Sequence, residues 1–140
     1  MKKLFYLTIL ASVILVSCKK YEEDSGIHLK TAKTRMCNDW SLAAYYLNGK
    51  DSTAAYHAIA PNMVFSLNKN GNFTQTAKYS GFTFTRTGSW QFTNGKEQLS
   101  LYETSPNIGT TTFKIRKLTS SEFWLLNISG TNEEYHLQRK

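Results

Sequence analysis

From Trp40 to the end of the chain, apolar and polar positions alternate with a period of two, the signature of half-buried strands. Trp40, Leu42, Ala44 and Tyr46 alternate with Ser41, Ala43, Tyr45 and Leu47, and Met63, Phe65 and Leu67 alternate with Val64, Ser66 and Asn68. A third run covers 73–79. The clearest covers 82–92, where Phe82, Phe84, Trp90 and Phe92 share one parity and Thr83, Thr85, Thr87 and Ser89 the other. Runs over 98–103, 110–118, 122–128 and 133–139 bring the predicted strands to eight. Asn48-Gly49, Asn70-Gly71, Ser80-Gly81 and Asn94-Gly95 break the runs with residues that reach positive φ at low cost, as tight hairpins require.

Short turns make sequential strands antiparallel neighbours, and one apolar face per strand produces a sheet that must cover that face. A Greek-key sandwich needs a long crossover. The only long connection here, 49–61, lies between the first two strands. The expected fold is therefore all-β: an eight-stranded antiparallel up-and-down barrel. Leu29, Ala32 and Met36, at i, i+3 and i+7, predict a short helix within 27–36 ahead of it. Parity predicts an interior of Trp40, Tyr46, Phe65, Phe73, Tyr79, Phe84, Trp90, Phe92, Phe113 and Tyr135. A barrel of eight strands is just wide enough to be filled by such side chains or to hold one small ligand.

The first residues follow another logic. Lys2 and Lys3 precede an apolar run from Leu4 to Val16 that is too short to cross a bilayer core of about 30 Å as a helix. It has the length of a signal-peptide core, and Leu15-Val16-Ser17-Cys18 follows directly. This tetrapeptide resembles a bacterial lipobox. The resemblance implies cleavage after residue 17 and acylation of Cys18 by a diacylglycerol and an N-acyl chain. Each buried methylene contributes about 0.8 kcal/mol and stable anchoring takes about two chains, so the lipid alone suffices to hold the protein on a membrane. The implied organisation is a cleaved signal peptide (1–17), a lipidated tether (18–26) and a barrel domain (27–140). Glu22, Glu23 and Asp24 also resemble the acidic surface-export signals of some Gram-negative lipoproteins. That implies an outer-membrane address, with the cell surface favoured over the periplasmic face; a plain solvated linker is the alternative.

Composition bounds the rest. With 41% hydrophobic and 14% aromatic residues the chain has enough apolar mass for a core, which argues against disorder. Loss of Lys2 and Lys3 lowers the formal charge from +7 to +5. The tightest basic knot is Lys114, Arg116 and Lys117, with no nucleic-acid module around it, so no nucleic-acid partner is expected. With Cys18 acylated, Cys37 has no partner within the chain and reads as a small half-buried hydrophobe or an intermolecular bridge.

Taken in order, the helix at 29–36, Trp40 in the first strand, the long loop at 49–61, the hairpins and a late Arg139 resemble the small lipocalin-like lipoproteins. In that family a Gly-x-Trp signature opens the first strand, the first loop caps the mouth, and an arginine near the end packs over the tryptophan. The resemblance implies structural roles for Trp40 and Arg139. Asn38 stands where the glycine belongs, and the chain is shorter than secreted lipocalins. The likeness spans about 29–140 and supports a fold more than a function.

No catalytic constellation is visible. His28, His57 and His136 fall in the leader, the long loop and an outward position; no Gly-x-Ser-x-Gly elbow and no metal-ligand spacing occurs. Acids are absent from the expected interior faces, since Glu103 shares the parity of Leu99 and Leu101 only at its strand's end. The chain is not expected to be an enzyme, nor to need a cofactor or metal. Arg86 breaks the pattern by taking the inward parity of Phe84 and Trp90, although an unpaired buried guanidinium costs several kcal/mol. Three placements resolve this: a mouth position reaching water along its stem, a bulge at Gly88 that turns it outward, or a cavity where it meets a ligand's carboxylate or phosphate. The expected function is binding of a small amphipathic or hydrophobic ligand among Tyr46, Phe65, Tyr79, Phe84, Arg86 and Trp90, with 49–61 as lid. The alternative is a solid-core barrel whose outer face, with Lys114 and Arg116, docks a protein or glycan partner of the envelope.

Overall fold

The computed structural model describes residues 20–24 and 30–140. The signal segment 1–17, Cys18, His28 and Leu29 lie outside the described residues. The alternating runs become β1 (Asp39–Leu47), β3 (Val64–Leu67), β4 (Asn72–Tyr79), β5 (Phe82–Thr93), β6 (Gln98–Ser105), β7 (Gly109–Leu118), β8 (Glu122–Asn127) and β9 (Glu133–Arg139). Each pairs antiparallel with its neighbour in the order β1-β3-β4-β5-β6-β7-β8-β9, and β9 returns to pair with β1 over Trp40↔Arg139 to Leu47↔Glu133. The result is a closed eight-stranded antiparallel barrel. The two-residue β2 (Lys50–Asp51) folds back on the end of β1.

Turn chemistry follows the sequence. Ser80 and Gly81 join the paired Tyr79 and Phe82 with φ of 48° and 85°, the doubly positive combination that matches strand twist in a two-residue hairpin. The long connection is partly ordered as β2 and α2 (Thr53–Ile59). It reaches the end of the barrel where β1, β4, β6 and β8 finish, the mouth.

The other end is closed by α1 (Ala32–Met36), capped by Thr31, whose side chain accepts a hydrogen bond from the Thr34 amide. Met36 is fully buried, and its carbonyl accepts the Trp40 Nε1 hydrogen at 2.9 Å. The Trp40 ring packs on Phe123 at 5.3 Å. Phe73, Leu99, Ile115, Leu118 and Phe123 complete the buried lower core.

Residues 20–24 depart from the expected free tether. Tyr21 and Asp24 are each only 2% exposed, packed under the closed end. Asp24 accepts the Leu118 amide at 2.7 Å and pairs with buried Arg35 at 3.4 Å, and the Arg35 guanidinium also donates to the Leu118 carbonyl. Glu22 meets Lys114 at 2.5 Å and Glu23 meets Arg116 at 2.8 Å. The acidic run is a strap ion-paired to β7. A charged stretch reads as solvated until the fold brings opposite charges to it from some 90 positions away.

Candidate functional site

Three extra residues set where side chains point. On β1 the ladder to β9 slips between Leu42 and Ala44, so Ala43 is an inserted residue and parity inverts beyond it. Leu42 and Tyr45 therefore face in, at 6% and 7% exposure. Tyr46, expected inside, faces out; its ring lies 5.0 Å from His136, which stacks flat on Trp124 at 3.9 Å. A second slip, at Arg116 on β7, leaves both Arg116 and Lys117 outside while Ile115 and Leu118 stay buried. The third is at Thr104 on β6, opposite Thr87 and Gly88 of β5.

Gly88 allows the close approach at that third slip. A Cβ there would overlap the Tyr102 carbonyl oxygen and lie 2.8 Å from the Phe73 ring. The irregularity does not turn Arg86 outward. Arg86 faces the interior, with Nη2 2.5 Å and Nε 2.9 Å from Glu103 Oε2, and Nη1 donates to Gln75 Oε1 at 3.1 Å. Glu103, expected to leave the interior free of acids, is the counter-charge, its side chain 11% exposed. Its hydrogen bond, and after it its charge, hold the Arg86 pKa above the ordinary value against the opposing effect of burial.

Above the lower core lies a cavity of ≈ 230 Å³ lined by apolar Met63, Phe65, Leu101, Phe113, Leu125 and Leu137, and by polar Tyr56, Gln75, Arg86, Thr111, Asn127, Glu133 and Tyr135. Tyr56 comes from α2, so the connection predicted to act as a lid does reach the site. Tyr56, Gln75 and Arg86 also line a second, shallower space of ≈ 510 Å³, walled by Ala60, Ala77, Tyr79, Phe82 and Phe84. This shelf exists because the β4–β5 hairpin runs past the barrel rim, leaving Tyr79, Phe82 and Phe84 56%, 80% and 46% exposed on the inward parity.

Of the expected ligand-binding residues, Phe65 and Arg86 line the cavity, and Tyr79 and Phe84 line the shelf. Tyr46 is turned away by the slip at Ala43. Trp90 lines neither space. It is buried towards the closed end, where its Nε1 donates to the Asn68 carbonyl at 2.9 Å and its ring meets Phe92 at 5.6 Å. Arg139 sits opposite Trp40 in the β1–β9 ladder, but its side chain is exposed and the cation buried at the closed end is Arg35.

Sequence reasoning missed Tyr45, Tyr56, Glu103 and Glu133. Glu133 shares the inward parity of Tyr135 and Leu137, and that parity was the available signal. Its carboxylate accepts hydrogen bonds from Tyr45 Oη at 2.8 Å and Asn127 Nδ2 at 3.2 Å. Burial first, then this bond to Glu133, pushes the Tyr45 hydroxyl pKa upward.

No protein-family model matches the chain, and no curated protein matches it in sequence. Solved structures do match the fold. A lipocalin-like protein from Bacteroides uniformis ATCC 8492 superposes with a TM-score of 0.59 at 16% identity, covering 76% of this chain and 99% of the other. An uncharacterized protein from Bacteroides eggerthii DSM 20697 superposes with a TM-score of 0.56 at 16% identity, covering 75% and 99%. The fold is thus lipocalin-like: a closed barrel, plugged at one end and hollow at the other.

Proposed function

We propose that this protein is a non-enzymatic binder that takes a small amphipathic molecule into the mouth of its barrel. The observation that carries the reading is that the cavity and the shelf adjoin at Tyr56, Gln75 and Arg86, which line both, with apolar walls and a few convergent polar groups. The test is titration of a neutral fluorescent probe, N-phenyl-1-naphthylamine, into the full-length protein in lipid nanodiscs, with empty nanodiscs subtracted. Saturable enhancement near one probe per protein, abolished by Thr111→Trp, supports the reading. No saturable signal, or one indifferent to filling the cavity, contradicts it.

The same proposal gives the protein an outer-membrane address through a lipid on Cys18. The strap then acquires a purpose. Lys20 Nζ donates to the Gly95 carbonyl on a closed-end turn at 2.7 Å. Cys18 lies two residues earlier, a reach of at most about 7 Å. A lipid there would seat the closed end on the bilayer and point the mouth away from it. Radiolabelled palmitate incorporated by the wild type but not by Cys18→Ala supports the anchor; equal labelling of both contradicts it. The rival reading, docking through Lys114 and Arg116, is weakened because both are occupied by Glu22, Glu23 and Glu134.

A further inference from the structure

The charges around the cavity do not cancel. Arg86 and Glu103 neutralise one another at 2.5 Å. Glu133 is different: its two hydrogen-bond donors, Tyr45 and Asn127, are uncharged, and it has no ion-pair partner among the described residues. The interior of the mouth therefore carries one carboxylate charge in excess, in a half-buried position where charge is costly to leave without a counter-ion.

Aromatic rings gather beside that carboxylate. Tyr45 lies 4.7 Å from Tyr56 and 5.1 Å from Tyr135, measured between ring centres. Tyr56 and Phe113 each meet Tyr135 edge-on at 6.1 Å. Burial, and after it the charge of Glu133, pushes the Tyr56 and Tyr135 hydroxyls upward, so these phenols stay neutral and add no charge of their own beside the carboxylate. Neutral π-faces grouped around an anion form the surroundings that desolvated organic cations prefer.

Resting on the reading of the mouth as a ligand site, we propose that it selects amphiphiles bearing an organic cation, an ammonium head set among Tyr56, Tyr135 and Phe113 beside Glu133, with Tyr45 behind them holding the carboxylate. The apolar part of the ligand then lies across the shelf of Ala77, Tyr79, Phe82 and Phe84. An anionic head is disfavoured twice, because Glu133 repels it and the guanidinium that would receive it is already held by Glu103 and Gln75. This reverses the role that the sequence alone suggested for Arg86. A cavity placement of the lone inward cation, one of three that the sequence left open, pointed to an acidic ligand; with Glu103 and Glu133 in place, the site favours a basic one.

The experiment compares three probes of one chain length, hexyltrimethylammonium, hexanoate and hexanol, by calorimetric titration of the full-length protein in nanodiscs against empty nanodiscs. The expected order is hexyltrimethylammonium tightest, by at least about tenfold over hexanoate. Glu133→Gln should reduce that preference to less than about threefold and weaken the ammonium more than hexanol, and Tyr56→Leu should likewise weaken the ammonium more than hexanol. Hexanoate binding as tightly as the ammonium, or an undiminished preference in folded Glu133→Gln, overturns the cation assignment and leaves the ligand site standing. Binding of none of the three overturns both.

Discussion

Nη2 of Arg86 lies 2.5 Å from Oε2 of Glu103 across the β5–β6 pair, so the cation lining the cavity is already neutralised by a residue of its own barrel. Glu103→Gln removes the counter-charge and leaves Arg86 only neutral acceptors. Because the Arg86 side chain is 35% exposed and partly screened, the expected loss is modest, roughly 1–2 kcal/mol, read as a lower urea midpoint at unchanged slope. A midpoint equal to the wild type's would mean that the pair contributes nothing.

The slip at Thr104 makes Gly88 a position without room for a methyl group. Gly88→Ala must displace the β6 backbone at Tyr102 as well as the Phe73 ring, and should cost about 2–3 kcal/mol. Gly109, with open space around its Cβ direction and no positive φ, is the control. Thermal unfolding of both variants checks the difference; equal melting temperatures would contradict the packing described.

Asp24 ties the strap to the barrel through the Leu118 amide and Arg35. Asp24→Asn removes the charge facing a guanidinium that is itself 5% exposed, and should destabilise by roughly 3 kcal/mol. Limited proteolysis adds a local reading: cleavage within 20–24 should accelerate in the variant well before cleavage in the barrel strands. Unchanged protection of that segment would show the strap to be held by other means.

Alkaline pH should loosen the same end. Burial under the barrel pushes the Tyr21 hydroxyl from the ordinary 10 up to about 12, with smaller effects from Arg35, which lowers it, and Asp24, which raises it. The folded protein then holds this proton more tightly than the unfolded chain. Stability is complete below the unfolded value and falls as pH climbs from about 10 towards 12. Melting temperatures taken from about pH 9 to about pH 11 should decline, and Tyr21→Phe should decline less. A flat wild-type profile would contradict the burial of Tyr21.

The strands were legible because alternation is local: each residue's parity needs only its neighbours. The eight-strand meander, the hairpin at Ser80-Gly81 and the buried Trp40 all follow from it. Parity fails at an insertion, because one extra residue flips everything after it, and nothing in the run around Ala43 distinguishes an inserted position from a paired one. Tyr45 and Tyr46 exchanged faces for that reason alone. Alternation also cannot say where a strand leaves the barrel wall, so Phe84 and Tyr79, inward by parity, became rim residues. The interior acids were hidden at strand ends: Glu133 opens β9, and Glu103 lies near the end of β6. The strap needed knowledge of the fold, since its partners Lys114, Arg116 and Leu118 adjoin it only after the barrel closes.

The central claim is that the mouth of this barrel holds a guest. Native mass spectrometry of the full-length protein released gently from its own membrane, beside a Thr111→Trp variant prepared identically, tests it most directly. The account predicts a non-covalent adduct of small-molecule mass on the wild type that disappears in the variant. A bare protein mass in both, or an adduct that survives filling of the cavity, would contradict it.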